Sequence, residues 1–148
     1  MAALEIRTTR FGLVQIEADE VICFPNGMLG LDGCRHWVLL ADAHNDALGW
    51  LQSTTRPEVA LAVVSPRRYV PDYQVRTPRA QIAPLSLDSS KDVHVLAIVS
   101  KNEQSITLNL KAPLIINLER RIGHQVIDTG EQPVQYELCE QVPRKKAA

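Results

Sequence analysis

The side chains able to ligate a metal, attack a carbonyl or carry a proton are scattered along this chain. His36, His44, His94 and His124 make no local pair, and Cys23, Cys34 and Cys139 make no CxxC. A zinc site read from sequence needs ligands at short spacings such as HExxH or paired CxxC, and neither occurs. There is no GxSxG elbow to expose a serine, no Walker-type glycine loop to cradle phosphates, and no GxGxxG opening a helix. Nucleotide hydrolysis, hydride transfer and acyl transfer have no support, so neither a metal nor a cofactor is expected. An enzyme assembled from dispersed His and Asp residues is the remaining catalytic reading. An odd cysteine number without metal spacing fits reduced thiols packed as small hydrophobes.

What remains is recognition chemistry. In Ser105 to Asn117, Ile106, Leu108 and Leu110 alternate with Thr107, Asn109 and Lys111, giving a strand with one apolar and one polar face. Pro113 has no N–H for a ladder and predicts an edge or a bulge, after which Leu114 to Ile116 form a buried run closed by Asn117. Asn109, Lys111, Pro113 and Asn117 are therefore candidates for contact with a partner; in the local alternative, Asn117 caps a turn and Lys111 is solvated. The loop from Phe24 to Leu31 sets Pro25, Asn26 and Gly27 as a tight turn before Met28, Leu29 and Leu31. Those apolar side chains either plug an open barrel end, the favoured reading, or offer an adaptable surface to another protein, with Met28 and Leu29 as anchors.

Two charged clusters carry alternative readings. Arg67, Arg68, Arg76 and Arg79 surround Tyr69 and Tyr73, a mixture that grips phosphates and stacks on bases in single-stranded nucleic-acid binders. The bland reading is a solvated loop whose tyrosines pack back on the domain. It is favoured because the 16 Lys and Arg are matched by 17 Asp and Glu, which leaves no basic stripe elsewhere. Glu17, Asp19 and Glu20 read as a solvated hairpin end, or less simply as a partner contact.

The elements that must position these groups are mostly strands. Leu4 and Ile6, Val14 and Ile16, Trp37 to Leu40, Leu48 to Gln52, Leu61 to Val64 and Val93 to Val99 have strand character, separated by Pro, Gly, Asn and Asp turns, including one at Asp88 to Ser90. About ten short strands at this spacing predict an all-β, antiparallel, barrel-like domain. Val93 to Val99 is apolar on both sides, so it must be covered on both faces. The one credible helix is brief, with Thr77 as cap, Pro78 at its first position, and an end near Ala83 and Pro84. At 148 residues, 45% hydrophobic and 22% charged, the chain fits a single domain from residue 3 to 137, followed by a basic tail over 138–148. No apolar run reaches the ~18 residues of a membrane span and no signal pattern opens the chain, so the expected location is the cytoplasm.

Taken in order, several motifs resemble the flagellar assembly factor FliW family. They are Thr9-Arg10-Phe11-Gly12, Phe24 to Gly30, Trp50-Leu51-Gln52-Ser53, Val63-Val64-Ser65-Pro66, Tyr73, Asn109 to Asn117, and Gly123-His124-Gln125-Val126. The resemblance runs from about Arg10 to Ile127, and its strength lies in order and spacing rather than in any one motif. It implies a small, mainly antiparallel β-barrel without enzymatic activity and with two protein partners, flagellin and the RNA-binding translational repressor CsrA. The chain is further expected to be monomeric when unbound, to contact no nucleic acid or membrane directly, and to bind protein through Phe24, Met28, Leu29, Gln52, Asn109, Lys111, Pro113 and Asn117. The sequence departs from the expected pattern in being nearly neutral and in carrying Arg67 and Arg68 beside Pro66, where acidic residues would better meet a basic RNA-binding protein.

Overall fold

The computed structural model describes residues 3–87 and 92–138. The alternating runs become strands because alternation lets one side of a pleated chain bury while the other stays wet. They are β1 (Ala3–Thr8), β2 (Gly12–Glu17), β3 (Ile22–Cys23), β4 (His36–Ala41), β5 (Leu48–Ser53), β6 (Ala60–Val64), β7 (Val93–Lys101), β8 (Ile106–Asn117), β9 (Ile122–Gln125) and β10 (Tyr136–Glu137). The hairpin β1–β2 stands apart; the others run in the order β10-β8-β7-β6-β5-β4-β3-β9, and β9 pairs back onto β8. Seven strands thus close a barrel, with β10 added along the first half of β8. The all-β, mainly antiparallel barrel expected from the period-two runs is the fold observed. One seam differs: β3 and β9 meet in parallel at Cys23 and Ile122. Strands this short show no alternation, so that closure had no sequence signal.

Strand β7 explains its own composition. Leu96 and Ile98 pack against the inner cluster of Ile22, Phe24, Met28, Trp37, Leu51 and Leu114. Val95, Ala97 and Val99 join an outer cluster with Val64, Tyr73, Leu108 and Leu110, where Tyr69, Val70 and Val75 also pack. The segment around Tyr69 to Val75 therefore covers the outside of the barrel wall. The β1–β2 hairpin covers another part of that wall, with Ile6 and Ile16 on Val38 of β4.

The expected helix is shorter than its sequence signals. The helix α1 spans Arg79–Ile82, and Pro78, in extended backbone, occupies the cap position assigned to Thr77. Pro84 lies inside a following 3-10 turn, Ala83–Leu85, rather than beyond the helix. A proline that fixes only φ serves as a cap as readily as a first helical residue, and ψ here chose the former. Leu138 is buried in the outer cluster, and its N–H donates to Ile106 O, so the packed barrel extends to it. The turn expected at Asp88 to Ser90, Cys139 and the basic residues of the tail lie outside the described residues. Cys34 is buried and Cys23 half-buried, both as free thiols.

The loop Phe24 to Leu31 seals one barrel end. Gly27 N–H donates to Phe24 O at 2.9 Å, and Gly27 holds φ +69°, the left-handed conformation that glycine adopts without strain. The far end of the Phe24 ring then sits against Gly123 of β9: a Cβ there would come to 2.5 Å from its Cζ. Gly123→Ala is expected to destabilise by about 1 to 3 kcal/mol through overpacking, read as a shift in urea midpoint, whereas Leu108→Ala should cost about 2 to 5 kcal/mol by leaving a cavity.

Candidate functional site

The interruption predicted by Pro113 is the most constrained point of the molecule. Pairing between β7 and β8 passes from Leu96–Leu114 to Ile98–Asn109, so Leu110, Lys111, Ala112 and Pro113 all stand opposite Ala97 alone. Residues that leave a ladder lose their backbone partners, and buried amides without partners are costly. Here each one is met. The Asn109 side-chain oxygen accepts from Lys111 N and Ala112 N, both at 3.0 Å. Leu110 N donates to Pro133 O at 3.0 Å, and Leu110 O accepts the Tyr73 hydroxyl at 2.7 Å. Lys111 O, Ala112 O and Pro113 O accept from Asp128 N, Gln125 Nε2 and Val126 N.

A second tier holds those partners. Lys111 Nζ donates to Gly130 O at 2.9 Å. The buried Asp128 carboxylate accepts from Arg76 N at 2.9 Å and Gly130 N at 2.6 Å, while Thr129 bonds back to Arg76 O. Arg67 Nε donates to Tyr73 O at 2.9 Å. The segment Arg67 to Arg76 is thus a strap fastened over the bulge.

These contacts re-sort the residues singled out in the sequence. Asn109 and Lys111 do alternate with Leu108 and Leu110, yet both are half-buried, and the Asn109 oxygen and the Lys111 nitrogen are engaged with backbone. Pro113 and Asn117 are buried; Asn117 donates to Leu85 O at 2.8 Å and accepts from Glu119 N and Arg120 N, the turn-capping role. Phe24 and Gln52 are fully buried, so neither side chain reaches the surface. Gln52 Nε2 instead reaches Ser53 O at 3.0 Å and Val59 O at 3.1 Å, bracing the turn between β5 and β6. Met28 and Leu29, taken together as anchors, part company: Met28 is 3% exposed and plugs the barrel with Phe24, whereas Leu29 is 70% exposed. Within the basic and aromatic segment, Tyr73 is 2% exposed and Tyr69 half-buried, so Tyr73 has no free face for a base, while Arg67, Arg68, Arg76 and Arg79 keep exposed side chains. Glu17 and Glu20 close a short 3-10 turn, with Glu20 accepting from Glu17 N at 2.8 Å.

Two features escaped the sequence. Gln125 grips Leu29 N with its side-chain oxygen at 2.9 Å and Ala112 O with its nitrogen at 3.2 Å, so the exposed leucine hangs directly from the bulge. Ile127, also exposed, follows two residues later. The other is a surface stack at the β1–β2 tip. The Arg10 guanidinium lies 4.3 Å from the Trp50 ring centre, Phe11 meets the same ring edge-on at 5.8 Å, and Trp50 Nε1 donates to Asp42 at 2.9 Å. The Trp50 and His44 N–H donations hold the Asp42 carboxyl below its ordinary range. Only the pairing of distant motifs, Arg10-Phe11 with Trp50, hinted at it. Of the histidines, burial alone keeps His124 below its usual value, and among the described residues no three His, Cys, Asp or Glu side chains converge as a metal site.

Fold and site together define a small, closed, mainly antiparallel β-barrel whose bulged strand is latched by a tyrosine strap and presents an apolar side chain beside the latch. The model of the FliW protein family matches residues 5–138. A flagellar assembly factor FliW from Natranaerobius thermophilus is 31% identical over 127 residues, with 84% of each chain covered. The Geobacter sulfurreducens factor is 31% identical over 147 residues, covering 97% of this chain and 92% of its own. A crystal structure of the flagellar assembly factor FliW superposes with a TM-score of 0.84 at 26% identity, covering 91% of this chain and 96% of that one. The chain belongs to the FliW family, and its role lies in flagellum assembly. No helix among the described residues is long and apolar enough to cross a membrane.

The latch makes the molecule alkali-sensitive. Burial, with a smaller contribution from the Asp128 charge, pushes the Tyr73 phenol up to about 12. The unfolded phenol ionises near ~10, so the folded state keeps a proton that the unfolded state loses. This stability is present below about pH 10 and is lost as pH rises through about 12. Wild-type protein should therefore lose more melting temperature over that window than Tyr73→Phe, which lacks the group. At neutral pH, Tyr73→Phe and Asn109→Ala should each cost about 1 to 3 kcal/mol in urea unfolding, because each strands buried backbone groups.

Proposed function

We propose that this chain is a non-catalytic cytoplasmic regulator that binds the translational repressor CsrA and is titrated by flagellin. Flagellin synthesis would then follow flagellin consumption during filament assembly. The observation that carries this reading is the family match over residues 5–138, which includes the barrel, the strap and the bulge. Leu29 supports it as well: a large apolar side chain, exposed yet held by its backbone at Gln125, meets a partner without first having to be ordered. Holding a repressor away from its message by mass action requires micromolar affinity or tighter, about 8 kcal/mol, within reach of a standard interface of roughly 1,600 Å². The RNA-binding alternative through Arg67 to Arg79 keeps only the half-buried Tyr69 as an aromatic platform, because Tyr73 is buried.

Calorimetric titration of the full chain with CsrA from the same organism, alone and with flagellin present, is the test. Tight binding to CsrA that flagellin weakens, with flagellin binding weakened by CsrA to the same extent, is the expected outcome, since linkage is reciprocal. Leu29→Ser should leave melting unchanged and weaken at least one partner by about tenfold. Absence of binding to both proteins, with tight salt-sensitive binding to RNA, would reverse the choice.

A further inference from the structure

The barrel wall contains a short open edge. Leu118 N donates to Asp92 O at 2.9 Å across the β7–β8 ladder. In an antiparallel ladder successive residues turn their backbone groups to opposite sides, so Asp92, His94 and Leu96 address β8 while Val93, Val95 and Ala97 address the β6 side. On that side β6 offers Val64 to Ala97 and Val63 to Ile98, and nothing further. The next position that could serve Val95 is Pro66, which has no N–H and begins the 3-10 turn Pro66–Arg68 that carries the chain away. The N–H and C=O groups of Val93 and Val95 have no hydrogen-bond partner among the described residues.

These groups face a groove of about 430 Å³, whose far wall is Ser65, Pro66 and Arg67 and whose outer side is Tyr73 and Val75. The groove continues through Ser65 and Leu96 into an apolar hollow of about 400 Å³ bounded by Leu39, Gly49 and Val63. The hollow lies at the β4 C-terminal end of the barrel, away from the end that Met28 and Phe24 fill. Two arginines put positive charge on the Pro66 wall of the groove. Arg67 is fixed by its Nε bond to Tyr73 O and Arg68 is exposed beside it, whereas the Asp92 carboxylate is met by His94 at 2.6 Å.

We propose that this gap accepts an extended segment of a partner protein, added as a strand along Val93 to Val95. That segment carries an apolar side chain for the hollow and a flanking carboxylate for Arg67 and Arg68. Backbone donors and acceptors spaced as in a strand are satisfied by another strand, and strand addition to an exposed edge is a recurrent mode of peptide recognition. In the added strand, the residue across from His94 points to the same side as His94 and Leu96, toward the hollow, which sets the position of the apolar side chain. This site is separate from the Leu29 surface and stands whichever protein supplies the segment.

Residue-resolved hydrogen exchange on the full chain tests the edge directly. In the free protein the Val93 and Val95 amides should exchange quickly while those of His94 and Leu96, bonded to β8, exchange slowly. A labelled pentapeptide, glutamate-valine-leucine-valine-glutamate, should slow Val93 and Val95. The same peptide N-methylated at its valines should bind about tenfold more weakly, as expected for the loss of backbone hydrogen bonds. Ser65→Trp, at an exposed position whose side chain caps nothing, should melt as wild type does and abolish peptide binding by filling the groove. Protection of Val93 and Val95 in the free chain would mean that the chain covers its own edge and would overturn the proposal. So would equal affinity for the N-methylated peptide, or no change in Val93 and Val95 exchange at saturating peptide.

Discussion

The structure turns on satisfying the backbone that β8 releases between Asn109 and Leu114. Leu110 to Pro113 stand opposite one residue of β7, and this excess occurs in the wall of a closed barrel, where water is a poor substitute partner. Every N–H and C=O in that stretch finds a protein group, and the groups come from four separate places: Asn109 itself, Tyr73, Gln125 with its continuation to Asp128, and Pro133. The irregular chain from Arg67 to Arg76 and from Val126 to Pro133 is therefore not free loop. It is held in place by the hydrogen-bonding needs of one bulge.

This accounts for the course of the segment after β6. Pro66 ends the ladder, and the chain then crosses the outside of the barrel so that Tyr73 can reach Leu110 O and Arg76 can be gripped by Asp128. In crossing, it covers Val95, Ala97 and Val99, which lets β7 be apolar on both faces. The same crossing leaves Val93 and Val95 without a paired strand on the β6 side, so latch and open edge have one origin. A strand that bends away to close one face exposes the edge that it would otherwise have paired.

For a flagellar assembly factor, the arrangement separates a stiff frame from a few accessible groups. The Gln125 clamp joins frame to surface, because the amide that completes the bulge also fixes the backbone of Leu29. The Arg10–Trp50–Phe11 stack does the same at the other hairpin, tying β1–β2 to β5 while leaving a guanidinium outermost. Binding to rigid, preorganised groups loses less conformational entropy than binding to mobile ones.

Period-two alternation in β1, β2, β4 to β8 was legible in the sequence because strand burial is local: a residue's face follows from its parity. The bulge was legible too, since Pro113 cannot donate to a ladder wherever it is placed. The double-faced burial of β7 was readable from Val93 to Val99, though not what would cover it. The polar residues of the candidate site could not be assigned from sequence, because an amide or ammonium that recognises a partner and one that satisfies a nearby backbone are the same residue. Asn109, Lys111, Gln52 and Asn117 each satisfy backbone that the fold brought within 3.2 Å of them. Met28 and Leu29, adjacent and equally apolar, were separated into plug and exposed knob only by the direction of the loop over the barrel end. Local chemistry set which elements could form, and the closure of β9 on β8 decided which side chains remained outside.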